Sequence, residues 1–137
     1  MADFVFKTEP SEYSFADLQA KGQGGWDGVR NPVALRNLRE MKKGDRAFVY
    51  HTGSEKAVVG IARAASGAYP DPKAPAGSSL VVIDLAALAL LKHPVALATL
   101  KADPEFSESP LVRQGRLSIV PLTAKQAATI ERLGAGK

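Results

Sequence analysis

Short runs of alternating or clustered apolar residues predict the strands of this chain. Such runs lie at residues 3–7, 46–51, 57–65 and 116–122. Residues 80–91 form a longer apolar run whose periodicity is ambiguous, although Val81, Val82 and Ile83 favour a strand at its start. Gly60, inside the third run, predicts a β-bulge or a close approach of another group.

Helical spacing and capping signals predict three helices. A capping box at residues 14–17 opens a short helix that ends near Lys21. Asn31 at the N-cap and Pro32 in the first helical position begin a second helix, which runs to about residue 41. A capping box at residues 123–126 opens the last helix, to about residue 133. Residues 94–102 are also compatible with a short helix, whereas residues 103–110 are expected to be irregular.

The order of these elements predicts the fold class. One strand, two helices, several strands with short loops and a final helix do not alternate as a parallel α/β sheet would. We therefore expect an α+β fold built on a small antiparallel barrel or sheet. Residues 69–79 are rich in Pro, Gly and Ser, but no linker is long enough to divide the chain, so residues 1–137 are expected to form one domain.

Composition excludes several classes of function. The chain has no cysteine, which rules out thiol catalysis, disulfide bonds and cysteine-ligated zinc. Its two histidines, His51 and His93, cannot form a histidine-rich metal site, and we expect no cofactor. No signal peptide is visible, and the longest apolar run is too short to span a bilayer. The default expectation is a cytoplasmic monomer that has no membrane partner.

Positive charge is concentrated in one part of the chain. Residues 30–46 carry six basic and two acidic side chains, which accounts for the whole formal net charge of +4. Arg36, Arg39 and Lys43 share the polar face of the predicted second helix, where they would contact phosphates without reading sequence. The segment indicates either an anionic partner such as nucleic acid or a solvated surface helix.

The only tryptophan, Trp26, lies in a glycine-rich segment that we expect to be irregular. An indole there is a candidate platform for a nucleobase, since one stacked base contributes roughly 1–3 kcal/mol. The alternative is an ordinary core tryptophan. Asp27 and Asn31 are candidates either for ligand contact or for capping the next helix, with capping favoured for Asn31. Arg30 is a candidate for a phosphate contact or for an ion pair with Asp27.

Polar residues where strands end form a second group of candidates. Glu9 could accept a hydrogen bond from a cytosine amino group, or it could lie in solvent and pair with Lys7. His51 could contact a ligand, make a structural hydrogen bond or act as a general base, although no motif supplies a nucleophile. Residues 69–71 could form a pocket rim or an ordered turn, and Arg116 could bind a phosphate or a pocket acid.

Five short blocks occur in an order that resembles the signature of the EVE domain family: KTEP at 7–10, WDGVRN at 26–31, FVYHT at 48–52, YPD at 69–71 and RLSI at 116–119. The resemblance implies a PUA-like β-barrel with flanking helices, related to the YTH readers of methylated adenine. It also implies a pocket for one modified base, with modified cytosine in DNA favoured. Thr8 and Thr52 stand where serine is common, and the loop from 72 to 79 is short.

Three hypotheses follow for the function. The favoured one is a binding module, without enzymatic activity, that holds one modified base of a nucleic acid near Trp26. The second is an enzyme acting on a nucleotide or RNA, with His51 and either Glu9 or Asp71 as acid and base. The third is a scaffold whose basic face binds an acidic protein. The predicted ligand-binding residues are Lys7, Thr8, Glu9, Pro10, Trp26, Asp27, Val29, Arg30, Asn31, Tyr50, His51, Thr52, Tyr69, Asp71 and Arg116.

Overall fold

The structure, a computed structural model, describes residues 2–136 and contains a seven-stranded sheet and five α-helices. The strands are β1 (Asp3–Thr8), β2 (Gln23–Trp26), β3 (Arg46–His51), β4 (Ala57–Ala64), β5 (Tyr69–Pro70), β6 (Val81–Ala96) and β7 (Ile119–Leu122). The helices are α1 (Phe15–Lys21), α2 (Pro32–Glu40), α3 (Leu97–Lys101), α4 (Pro110–Arg113) and α5 (Ala124–Gly134), with a 3₁₀ turn at Pro104–Phe106.

The strands form one mixed, open sheet. Their order is β2-β6-β4-β3-β1-β7, and β5 pairs with β6 on a side branch. β1 and β3 run parallel, whereas the other pairs are antiparallel. The predicted α+β class is confirmed, but the predicted closed antiparallel barrel is wrong, because the sheet does not close on itself. A parallel pair needs a long crossover, which the chain makes through α1, β2 and α2.

The strand β2 is absent from the sequence prediction. Its four residues, Gln-Gly-Gly-Trp, lack both alternation and strand-forming side chains, yet they pair with residues 83–86 of β6. Trp26 therefore lies opposite Ile83 in a ladder and not in an irregular loop. The ambiguous run at 80–91 is part of the 16-residue strand β6, which also includes residues 94–96 of the predicted short helix. Pairing with strands that are distant in sequence therefore decides the secondary structure of both segments.

The helix starts agree with the capping signals. Ser14 and Thr123 make capping boxes with the third residue of α1 and α5, and the Asn31 side chain accepts from the N–H groups of Val33 and Ala34. The predicted irregular segment at 103–110 instead contains the 3₁₀ turn and the start of α4, and the predicted strand at 116–122 begins only at residue 119.

The core lies between the sheet and its helices. Phe4, Val5 and Phe6 of β1 are all buried, because β1 is a central strand covered on both faces. A Cβ atom at Gly60 would lie 2.5 Å from the Phe15 ring, which confirms the predicted close approach. The ladders of β4 also shift register beside Gly60. Within residues 2–136, no helix combines the length and apolar character that crossing a bilayer requires.

Candidate functional site

A cavity of about 660 Å³ opens where the ends of β1 and β2 face the segment at 69–73. Its walls include eight of the predicted binding residues, namely Lys7, Thr8, Glu9, Trp26, Asp27, Val29, Tyr69 and Asp71. With Ser118 of the block at 116–119, the structure brings together parts of four blocks that are far apart in sequence. Volumes of about 300–1,000 Å³ are typical of small-ligand pockets.

Trp26 is both a core residue and part of the cavity wall. Its side chain is 6% exposed, and its ring makes edge-to-face contacts with Phe6 (5.5 Å between centroids) and Tyr13 (5.8 Å). The burial matches the alternative of a core tryptophan, and the wall position leaves a limited surface for a ligand. Val29 and Val82 are buried in the same wall, so this side of the cavity is apolar.

Polar side chains on the β1 side of the cavity are held by hydrogen bonds within the protein. The Thr8 hydroxyl donates to the Tyr13 carbonyl at 2.7 Å. The Glu9 carboxylate accepts from the Ser11 N–H, the Ser11 hydroxyl and the Thr52 hydroxyl at 3.2–3.3 Å. A carboxylate has about four lone-pair sites, so Glu9 keeps capacity for a further donor from a ligand.

Lys7 does not pair with Glu9, as one alternative expected. Its ammonium donates to the Gly115 carbonyl at 3.0 Å and lies 5.5 Å from the centre of the Tyr50 ring. Burial lowers the pKa of Lys7 from its ordinary value, because the charged form loses hydration there. A cation held in this way is available to an anionic ligand from the cavity side.

The opposite side of the cavity is built on the edge strands β2 and β5. The Tyr69 hydroxyl donates to the Asp84 carboxylate at 2.6 Å, and this hydrogen bond raises the pKa of Tyr69. Gly25 lies beside the pair, and a Cβ there would be in ordinary van der Waals contact with the Asp84 carboxylate, at 3.6 Å. Asp84 was not predicted, although an isolated acid inside the apolar run at 80–91 was a usable signal.

An exposed ion pair lies at the mouth of the cavity. Lys73 is 3.8 Å from the Asp27 carboxylate, and both side chains are more than half exposed. Sequence reasoning missed Lys73, together with Glu12, Tyr13 and Lys21, which also line the cavity. The hydroxyl of Tyr13 is buried and has no hydrogen-bond partner within residues 2–136. None of the four belongs to a signature block, so only their spatial position reveals them.

The other predicted binding residues lie outside this cavity: Pro10, Arg30, Asn31, Tyr50, His51, Thr52 and Arg116. Asn31 caps α2 with its side-chain oxygen. His51 is buried, and its Nε2 accepts from the Phe15 N–H at 3.0 Å. Its Nδ1 therefore carries the proton and donates to Glu55 at 2.7 Å. With both nitrogens engaged, His51 has no geometry for proton transfer with Glu9 or Asp71.

A comparison with protein-family models decides the family. The model of the EVE domain matches residues 2–133. This chain belongs to the EVE domain family. Human thymocyte nuclear protein 1 is 31% identical over 156 aligned residues, which cover 90% of this EVE domain chain and 69% of that protein. The rat protein of that name is 39% identical over 80 residues, which cover 50% of this chain and 35% of the rat protein.

Solved structures share the fold. A structure of a Rhodopseudomonas palustris protein is 40% identical with a TM-score of 0.91, and the alignment covers 98% of this EVE domain chain and 93% of that one. A crystal structure of human THYN1 protein, described as a complex with DNA that contains 5-methylcytosine, is 26% identical with a TM-score of 0.89 and covers 98% of both chains.

The basic side chains of residues 30–46 differ in whether they are free to contact a ligand. Arg36 is exposed on α2, as predicted for a polar helix face. Lys43 is also exposed, but its predicted place on that face is wrong, because α2 ends at Glu40 and Lys43 lies in the following turn. Arg39 is also exposed but donates to the Ser79 carbonyl, so it fastens the loop that follows the cavity rim. Arg46 pairs with Asp3 at 2.7 Å and with Glu131 at 3.0 Å, which neutralises its charge. Within residues 2–136, no group of three or more His, Asp or Glu residues is placed to hold a metal ion.

Proposed function

We propose that this EVE domain is a nucleic-acid binding module that holds one modified base in the cavity beside Trp26. The human relative crystallised with DNA containing 5-methylcytosine supports this proposal, and modified cytosine in DNA is the favoured ligand. The observation that carries the proposal is the cavity itself, where an apolar wall and hydrogen-bonding groups face the same space. Catalysis receives no comparable support, because both nitrogens of His51 are engaged in structural bonds.

The energetics of base capture fit these walls. Removing a base from its stack costs roughly a few kcal/mol. Contact with Trp26, Val29 and Val82 would return part of that, and a methyl group buried against this wall would add about 1 kcal/mol. Hydrogen bonds to the base edge would come from groups such as Glu9 and Lys7. Modest methyl discrimination and stronger edge discrimination are therefore expected.

Phosphates would be held outside the cavity by exposed cations of α2 and of the turn that follows it. Arg36 is exposed on α2, the helix that follows the cavity-lining segment at 25–29, and Lys43 is exposed in the turn between α2 and β3. Such contacts position a strand and increase affinity without selecting a sequence. This division assigns base recognition to the cavity and salt-dependent affinity to the helix and the turn that follows it.

The test measures binding of labelled oligonucleotides that differ only in one cytosine, either plain or methylated, by fluorescence anisotropy at fixed salt. The variant Trp26→Phe shortens the apolar wall and keeps an aromatic ring. We expect it to reduce the preference for the modified oligonucleotide by about threefold to tenfold.

Phe106→Leu is the matched control, because Phe106 is fully buried but does not line the cavity. It should lower thermal stability yet keep the preference. A Trp26→Phe protein that folds and retains the full preference would refute the role of Trp26. A wild-type protein without preference for the methylated oligonucleotide would refute the reading of methylated cytosine. The monomeric state stays a prediction, which light scattering of the wild-type protein tests.

A further inference from the structure

A second, smaller cavity lies on the other side of Lys7. Its volume is about 210 Å³, and its walls include Lys7, Tyr50, Lys56 and Lys101. The lining, within residues 2–136, contains three lysines and no carboxylate. The larger cavity differs in this respect, because Glu9, Glu12, Asp27 and Asp71 line it together with its lysines. Three cations in a lining that holds no carboxylate predict an anionic occupant, with the Glu9 carboxylate lying behind the lining residues Thr52 and Gly53.

Lys7 belongs to both cavities. It is the penultimate residue of β1, opposite Tyr50 in the parallel ladder with β3, and its ammonium lies over the Tyr50 ring. Its ammonium donates to a neutral carbonyl, that of Gly115. Burial lowers the pKa of Lys7, and an anion bound in either cavity would raise that pKa again by stabilising the charged ammonium.

The backbone at Lys56 supports a function for this residue. Its φ angle is +46°, in the left-handed region that favours glycine or asparagine, and it is the one non-glycine residue with positive φ within residues 2–136. Such a conformation costs roughly 1–3 kcal/mol and is concentrated at functional sites. Both sides of the residue are fixed, since Glu55 binds His51 and the Lys56 carbonyl accepts from the Leu97 N–H at 2.8 Å.

We propose that the second cavity binds a backbone phosphate of the same nucleic-acid strand whose base enters the larger cavity. Lys56 and Lys7 would contact the phosphate oxygens, and Leu97 and Val112 would face the adjoining sugar. The three lysines of the lining favour an anionic phosphate over an uncharged base. The assignment of the strand rests on the proposed function, because only a base in the first cavity defines which phosphate lies next to it.

The experiment compares two variants that remove the same charge. Lys56→Gln removes one of the three cations that line the second cavity, and Lys125→Gln removes an exposed lysine that lines neither cavity. Anisotropy titrations use the plain and methylated oligonucleotides from about 50 to about 200 mM salt. Lys56→Gln should weaken binding of both oligonucleotides about threefold to tenfold and reduce the salt slope by about 0.7–0.9. Lys125→Gln should change binding by less than about twofold.

A second variant guards against misfolding. Lys56→Gly removes the same charge, and glycine adopts the positive φ angle without strain. This variant should have an unfolding temperature equal to or above that of the wild type and should still bind the oligonucleotides more weakly. Lys56→Arg should retain the wild-type slope. Lys101 is less decisive, because a lysine in the last turn of α3 is favourable for the helix alone.

The outcomes separate this inference from the proposed function. If Lys56→Gln and Lys56→Gly bind like Lys125→Gln with an unchanged slope, the phosphate assignment is overturned even where base preference persists. If the Lys56 variants lose affinity but no oligonucleotide is preferred over another, base reading fails and the phosphate contact stands. An acidic peptide that displaces the oligonucleotide from wild type and fails to bind Lys56→Gln would assign the cavity to a protein ligand instead.

Discussion

The two sides of the larger cavity are built in different ways. On one side, Thr8 and Glu9 end a central strand, and their polar atoms are bound to Tyr13, Ser11 and Thr52 within the protein. On the other side, the edge strands β2 and β5 lead into exposed loops, and the mouth has a weak ion pair between exposed side chains. The first side can hold a fixed pattern of donors and acceptors, and the second can adapt to a ligand.

This comparison explains where binding specificity should reside. Groups already fixed by hydrogen bonds lose little freedom when a ligand arrives, and they present a fixed pattern that a wrong base edge does not match. A flexible rim instead tolerates variation and contributes mainly to entry and closure. We therefore expect mutations under the fixed side to affect folding strongly and mutations at the rim to affect it weakly.

The largest effect is expected for Gly60→Ala, which disrupts the packing of Phe15 near the β1 side of the cavity. The new methyl group would lie 2.5 Å from the Phe15 ring, and Phe15 begins α1 next to the turn that holds Tyr13. Overpacking of this kind should lower the free energy of unfolding by about 2–3 kcal/mol in urea titrations. Gly67→Ala is the control, because a Cβ there contacts nothing within 4 Å, and its effect should stay within about 0.5 kcal/mol. Equal effects would contradict the close approach.

An intermediate effect is expected for Tyr69→Phe, which releases the rim from Asp84. Loss of this partly exposed hydrogen bond should lower the free energy of unfolding by about 0.5–1 kcal/mol at neutral pH. Because the bond raises the pKa of Tyr69 in the folded state, its stabilisation is complete below the ordinary tyrosine pKa.

That stabilisation is lost as the pH rises through the raised pKa. The difference between wild type and Tyr69→Phe should therefore shrink when urea titrations are repeated from about pH 7 to about pH 11. A difference that grows over this range would show that Tyr69 is not the donor to Asp84.

The smallest effect is expected for Lys73→Ala at the mouth. The ion pair with Asp27 joins two exposed side chains at 3.8 Å, and such pairs contribute about 0–1 kcal/mol. We expect a change below about 0.5 kcal/mol in thermal unfolding, comparable with Lys125→Ala. A loss above about 1 kcal/mol would mean that the rim is as fixed as the β1 side.

Local signals predicted the fold best where local physics decides the structure. The caps at Ser14, Asn31 and Thr123 were correct because a side chain and an N–H two or three residues away make them. β2 was missed because its glycines pair only through distant β6, and closure into a barrel was wrong because no local pattern encodes which strands lie at the sheet edges.

The candidate site was predicted in part for the same reason. Eight predicted residues line the cavity because blocks of an EVE signature carry them. His51 and Asn31 were included among the predicted binding residues, but their side chains make structural hydrogen bonds. His51 accepts from the Phe15 N–H, and Asn31 caps α2. Lys56 was outside the prediction, since its unusual φ angle becomes visible only with coordinates.

An open sheet has an outer strand that could recruit another chain. Lys7 donates to the Ser118 carbonyl across β1 and β7, so the alternation of the ladder places Pro121 at a position whose nitrogen faces outward. Proline has no N–H to offer, and an added strand would find an incomplete row of donors there. Pro121 thus disfavours edge-to-edge pairing along the β7 side of the sheet.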